Sequence, residues 1–202
     1  LALEKSLKRP VNARDLPQIL SQVRQGNELV RGALDGTMLR NDIFNFIQLG
    51  TLIERGDNTA RLIYARHFLF LPSPSVLHQK NGLAHWDMVM SAIGAKRAYN
   101  WLHKGRMEGP RVLNFLIADQ RMPRSLIYCY TNIVRQVDAL EKAYGCSYET
   151  SRLARAICDD FDAPKIDELV NFGLENFIAG FLAANSGLSD QLEIDFKFNP
   201  IG

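Results

Sequence analysis

The sequence predicts an all-α protein, an antiparallel bundle of about six to seven helices with no significant sheet. Three observations carry that prediction. Apolar residues recur at helical spacing through most of the 202 residues. Proline and glycine fall between those periodic runs rather than inside short alternating ones. Only LEIDFKF, Leu192 to Phe198, alternates as a strand would, and a lone strand has nothing to pair with, so it reads as continued helix or extended tail. Short connections between long amphipathic helices favour antiparallel neighbours.

In chain order, the first helix is predicted from Asp15 to Gly36. Leu16, Ile19, Leu20, Val23, Leu29, Val30, Ala33 and Leu34 approximate one face, Asp15 suits the N-cap, Pro17 the first turn and Gly36 the stop. A second runs from about Asn41 to Leu71, ended by Pro72 and Pro74, because proline cannot continue the backbone ladder. Pro72 to Gly82 reads as a loop, and helical spacing returns from Ala84 to Lys104, until Gly105. Gly109-Pro110 opens a short helix through Ala118, and Pro123 is placed at the first position of the next, which stops at Gly145. Ser147 is the expected cap of a helix reaching about Asp160, and a last long helix is expected from near Pro164 past Phe181, with Ser186-Gly187 as a stopping point.

Length fits a single domain spanning 1–202, or two closely packed lobes. With 47% hydrophobic and 23% charged residues the composition is that of an ordinary globular protein, which argues against a disordered or fibrous chain. The richest apolar run, Phe68 to Leu71, is far short of the roughly 18 residues needed to cross a bilayer, so no membrane partner is expected. LALEKSLKRP at the start does not read as a secretory signal. Cys129, Cys146 and Cys158 are odd in number and lack C-x-x-C spacing, which fits reduced thiols in the cytoplasm, each packing as a small hydrophobe. Net charge is +2 but uneven: residues 1–125 carry 18 Lys and Arg against 10 Asp and Glu, and residues 126–202 carry 6 against 12. The asymmetry marks either an anionic partner for the first part or mutual attraction within one fold, the second being the simpler reading.

One stretch raises a chemical question. In FIQLGTLIERGDNTARLI, Phe46 to Ile63, a helical wheel places Gly50, Glu54, Asp57 and Arg61 together, beside Ile43, Phe46, Ile47 and Tyr64. Charges on an inward face must be compensated. Either Arg61 bridges Glu54 and Asp57 in a buried network, or the stripe lines a pocket in which Gly50 leaves room for a ligand or another helix. The network reading implies that Glu54→Ala costs several kcal/mol. A metal is not expected, because no Glu-x-x-His pair accompanies the carboxylates and His67, His78, His85 and His103 are scattered.

LGTLIERGDNTARLI closely resembles the ER motif of the alpha-E domain family, bacterial all-helical proteins whose signature has the form LGRxLERAxxTARLL, with Glu54-Arg55 as the named pair. FLIADQRMPRSLIYC, Phe115 to Cys129, resembles the family's later FLLLDxxFPRSVxxC segment, and QVRQGNELVRGALDGTMLRNDIFNF resembles its approach to the ER helix. Together these cover roughly residues 20–130. Thr51 and Gly56 stand where the pattern commonly has Arg and Ala. Family members are typically longer, with a preceding helical region carrying another ER-like helix, so the chain is expected to be a fragment or a short divergent member. The resemblance implies association with circularly permuted ATP-grasp proteins, which ligate carboxylates to amines, and with transglutaminase-like proteins.

At the PRS element, Arg124 and Ser125 put a cation and a hydroxyl beside unpaired N–H groups at a helix start, which suits an anion. The plainer reading is helix initiation, with Asp119 or Asp138 pairing Arg124. Trp86, Tyr99, Trp101 and Phe115 read as core, and without a basic stripe interleaved with aromatics no nucleic-acid partner is expected. Gly-rich phosphate loops, G-x-S-x-G and H-E-x-x-H are absent from the sequence, and no cofactor is expected.

Two functions therefore compete. One is an auxiliary partner of an ATP-grasp-type ligase in peptide or amide-bond formation or modification. The other is an enzyme or small-ligand-binding protein with an inward-facing pocket drawn from Glu54, Arg55, Asp57, Asn58, Arg61, Arg124 and Ser125, in which Glu54 or Asp57 acts as general base. Homo-oligomers are compatible with either.

Overall fold

A computed structural model of the chain describes residues 11–69, 80–161 and 173–198. Among them are eight helices and no strand: α1 (Leu16–Thr37), α2 (Asp42–Leu69), α3 (Lys80–Ala92), α4 (Lys96–His103), α5 (Gly109–Ala118), α6 (Leu126–Tyr144), α7 (Glu149–Asp159) and α8 (Leu174–Phe196). Contacts divide the chain into two compact units, Leu1–Phe44 and Asn45–Gly202.

In the first unit, α1 begins behind an Asx turn. The Asn12 Oδ1 accepts from the Arg14 and Asp15 N–H groups, both at 3.0 Å, whereas Asp15 makes no side-chain cap. Gly36 lies inside the helix, which stops at the extended Met38. The Arg40 guanidinium reaches the carbonyls of Leu34 and Asp35 at that end and lies over the Phe44 ring, 3.9 Å from its centroid. Asn41 then caps α2, its Oδ1 accepting from the Phe44 N–H at 3.2 Å.

In the second unit the core gathers around α6, which buries Leu126, Cys129, Tyr130, Ile133, Val137 and Leu140. Helices α5 and α7 pack on α6, α8 packs on α7, and α3 packs on α4 and α5. Trp86, Tyr99 and Phe115 are in that core. Trp101 is not: it is 82% exposed. Helix α4 turns Tyr99 inward, its hydroxyl donating to the Arg106 carbonyl at 2.9 Å, and two residues further on, roughly 200° around the helix, the side chain must face outward.

Several element boundaries differ from expectation for local reasons. The single helix expected over Ala84–Lys104 is broken at Gly94, whose φ of +69° ends α3. The Ala95 N–H reaches the Met90 carbonyl (2.8 Å) and the Gly94 N–H that of Ser91 (3.1 Å), the double closure of a Schellman turn. Lys80–Gly82, assigned to a loop, begin α3, and 72–79 lie outside the described residues. Pro123 sits in the turn before α6, not at its first position. Ser125 is the N-cap, its Oγ accepting from the Tyr128 N–H at 3.1 Å.

Ser147 does not cap α7. That helix start is closed from outside: the Asp195 carboxylate accepts from the Thr150 N–H at 2.8 Å and the Thr150 hydroxyl at 2.7 Å. Burial alone would raise the Asp195 pKa, but these bonds and one from Gln191 outweigh it and hold the carboxyl below the usual Asp range. The helix start expected at Pro164 lies outside the described residues. Helix α8 passes through Ser186-Gly187 and takes in most of LEIDFKF, ending at Phe196. All three cysteines are free: Cys129 is buried, Cys158 half-buried, and Cys146, contrary to the packed reading, exposed.

Candidate functional site

Helix α2 presents Leu49, Leu52, Gly56, Thr59, Ala60 and Ile63 to the core, a set spaced i, i+3, i+7, i+10, i+11, i+14. Glu54 falls about 180° from the centre of that face. The predicted inward stripe is thus on the other side: Glu54 is exposed, the Arg61 side chain is 65% exposed and that of Asp57 28%. The wheel failed because α2 carries apolar residues on both sides. Ile43 and Tyr64, which had marked the inward side, are themselves exposed. The small residues Gly56, Thr59 and Ala60 mark the side where another helix can approach closely.

On the exposed side Arg61 holds Asp57 through two bonds, Nε to Oδ2 at 2.6 Å and Nη2 to Oδ1 at 3.1 Å. Donation to the Asp57 carboxylate raises the Arg61 pKa. Glu54 is not bridged by Arg61. It accepts instead from the Asn58 amide at 3.5 Å. Gly50 is exposed with open space around it, so the glycine at a close approach is Gly56. A Cβ there would stand 3.5 Å from Phe181 Cζ, 3.8 Å from Cys129 Cβ and 3.9 Å from Tyr130 Cε2.

The two sequence motifs do meet, through the main chain. Arg55 Nη1 donates to the Pro123 carbonyl at 3.0 Å, and Thr59 Oγ1 donates to the Arg124 carbonyl at 2.9 Å. The turn they grip is closed on itself. The Ser125 hydroxyl, fully buried, donates to the Asp119 carbonyl at 2.7 Å while capping α6, and the Asp119 carboxylate accepts three bonds from Arg121, two from the guanidinium and one from the backbone N–H. Those bonds hold the Asp119 pKa below its usual value. Of the two acids expected near Arg124, Asp119 pairs with Arg121 and Asp138 with Arg155. Beside the turn, burial pushes the Cys129 thiol up to about 11, against the influence of Arg55 and Arg124, so it stays protonated near neutrality.

A third anchor was not singled out in the sequence. Asn185 of α8, buried, accepts from the Tyr130 hydroxyl at 2.7 Å and donates to the Ile53 carbonyl of α2 at 3.4 Å. Thr59 was likewise passed over. Its signal was a hydroxyl among apolar positions at core spacing, and Asn185 offered only the same kind of hint within an apolar run.

A cavity of about 180 Å³ lies between α7 and α8, lined by Ile157, Asp160, Phe161, Asn176, Phe177, Gly180, Phe181 and Ala184. None of the seven candidate site residues lines it. No group of three His, Cys, Asp or Glu able to hold a metal ion comes together among the described residues, and no described helix is long and apolar enough to cross a membrane.

A family model described as a predicted alpha-helical domain with a conserved ER motif matches residues 2–196. No curated protein and no solved structure matches the chain.

Proposed function

Because the chain belongs to the Alpha-E family, we propose that it is an auxiliary helical protein, a single domain of that family, that works in the cytoplasm beside an ATP-grasp-type ligase or a transglutaminase-like protein in forming or modifying amide bonds. The association itself comes from the family resemblance of the ER and PRS segments. The observation that supports an auxiliary role is the use of the motif's own residues: Arg55 and Thr59 are engaged with the carbonyls of Pro123 and Arg124, and Ser125 with Asp119 and Tyr128. Such bonds fix the angle at which α2 meets the start of α6. They leave Arg55 and Ser125 committed to the scaffold rather than to a substrate.

The enzymatic reading required Glu54 and Arg61 to line an inward pocket, and both are exposed.

The test is affinity capture from the native host with the tagged chain, reading specifically for an ATP-grasp protein, followed by assay of that ligase with and without the chain. Co-purification together with a change in ligase rate supports the proposal. Absence of any ATP-grasp or transglutaminase-like protein among the captured partners overturns it, as does turnover of a substrate by the purified chain alone.

A further inference from the structure

Arg97 and Trp101, at i and i+4, share the outer side of α4, and Lys104 follows as the left-handed residue that closes the helix. All three are exposed, the indole by 82%. Two neighbouring cations are already matched: Lys96 pairs with Asp87 at 2.8 Å and Arg111 with Glu108 at 3.0 Å. Arg97 and Lys104 have no carboxylate in ion-pair range among the described residues. The backbone at Lys104 and Gly105 is left-handed, φ 51° and 75°, so α4 stops there and the face ends in a turn.

An indole left in water between two uncompensated cations is a surface that gains by being covered. Tryptophan and arginine are the side chains most enriched among the few that dominate binding energy at interfaces. The flanking charges select the sign of the partner and fix its register, while the indole supplies the desolvated contact. Three kinds of anionic partner can be compared. A helix that lies on a membrane sinks a broad apolar face into it, but of the large apolar residues of α4 Tyr99 is buried and Leu102 packs against the core, which leaves Trp101. Single-stranded nucleic acid is held by several stacking side chains along a basic groove, and this face offers one aromatic ring. A short acidic polypeptide needs only what is present: a single apolar contact with one cation a helical turn before it and another at the helix end.

We propose that the Arg97–Trp101–Lys104 face of α4 is a docking surface for an acidic segment of a partner protein, which sets an apolar side chain on the indole with carboxylates on either side. The inference concerns the face and the chemistry that covers it, whichever protein supplies the segment, so its failure leaves the ligase association untouched.

The two tryptophans make the test direct, since Trp86 is buried and only Trp101 should respond to an added ligand. The probe is a labelled Glu/Asp-rich peptide with one central leucine, titrated into the full chain at low salt, with indole emission and peptide anisotropy both recorded. The expected result is a saturable blue shift and an anisotropy rise that weaken with added salt. Affinity should fall about tenfold or more in Trp101→Ala and in Arg97→Glu/Lys104→Glu, with thermal melts unchanged because all three residues are exposed. Absence of binding overturns the proposal, as does binding that survives both variants. Parallel titrations with phosphatidylserine vesicles and with oligo-dT, and sedimentation of the chain alone, complete the design: tighter binding to either probe, or self-association lost in Trp101→Ala, assigns the face to a different occupant.

Discussion

On the buried side of α2 and its flank, Thr59 and Arg55 donate to the main chain of Pro123 and Arg124 and Asn185 reaches the Ile53 carbonyl, whereas on the opposite side Asp57 and Arg61 bind each other in water. Both sides are polar, but they obey different energetics. A buried hydrogen-bonding group that loses its partner carries the whole desolvation penalty, about 1–3 kcal/mol. An exposed pair exchanges protein contacts for water contacts and is worth little. The difference places the structural weight of the ER helix on Thr59 and its buried neighbours rather than on the Asp57–Arg61 pair.

The comparison breaks most easily at the apolar part of the buried face. Ile63 is fully buried, and Ile63→Ala should lower stability by about 2–5 kcal/mol in chemical denaturation, the range for deleting a packed aliphatic side chain. A loss near zero would mean that α2 packs elsewhere. The next effect belongs to the buried amide. Asn185→Leu leaves the Tyr130 hydroxyl without its acceptor in the core and should cost about 1–3 kcal/mol. Adding Tyr130→Phe should recover part of that loss, because removing both partners is far cheaper than orphaning one. A double variant no better than the single one would show that the pair is not coupled.

Gly56→Ala sharpens the picture in the other direction. The distances around its Cβ are ordinary van der Waals contacts, so a methyl fits, and the helix interior gains about 0.5–1 kcal/mol from losing a glycine. A rise in Tm is expected, and a fall would mean that the Phe181 ring of α8, 3.5 Å from the added methyl, cannot accommodate it. A smaller effect belongs to a single carboxylate. Asp195, held below the usual Asp range by Thr150 and Gln191, contributes stability that is complete above the unfolded-state pKa near 3.8 and is lost as pH falls through the lower folded value. Stability measured from pH 6 downward should therefore decline less steeply on the acid side in Asp195→Asn than in the parent chain.

The sequence made the helices and their family legible because their signals are local: apolar period, proline and glycine punctuation, and two ordered motifs. It also announced that Gly109-Pro110 starts α5 and that Gly145 ends α6. Gly94 was equally visible, yet a glycine breaks a helix only when its neighbours supply the Schellman closure, and that depends on where Met90 and Ser91 already point. The inward face of α2 was misread for a related reason. Hydrophobicity was spread around the helix, so period alone could not choose a side, and the deciding feature was the small size of Gly56, Thr59 and Ala60. Trp101 was assigned to the core by residue type, but its exposure follows from the inward direction of Tyr99 on a helix of only 8 residues. The grip of Arg55 and Thr59 on Pro123 and Arg124 joins positions 68 and 65 residues apart through backbone carbonyls, which carry no residue identity for a sequence to reveal.

The smallest expected effect is the most discriminating. If Glu54 were part of a buried network, Glu54→Ala would strand a charged partner and cost several kcal/mol. Glu54 is exposed, accepts one long bond from Asn58 at 3.5 Å, and takes no bond from Arg61, whose guanidinium is fully engaged with Asp57 in water. Removing its carboxylate therefore exchanges one solvated group for water, and alanine also has the better helix propensity. Glu54→Ala should melt within about 0.5 kcal/mol of the parent chain, as surface substitutions do. A neutral melt combined with a changed response of a captured ligase would place Glu54 at the partner's surface, separating the motif's acidic residue from its arginine: Arg55→Ala should cost about 0.5–1.5 kcal/mol through loss of its solvent-accessible bond to the Pro123 carbonyl, while Glu54→Ala should spare the fold and act only where another protein meets the helix.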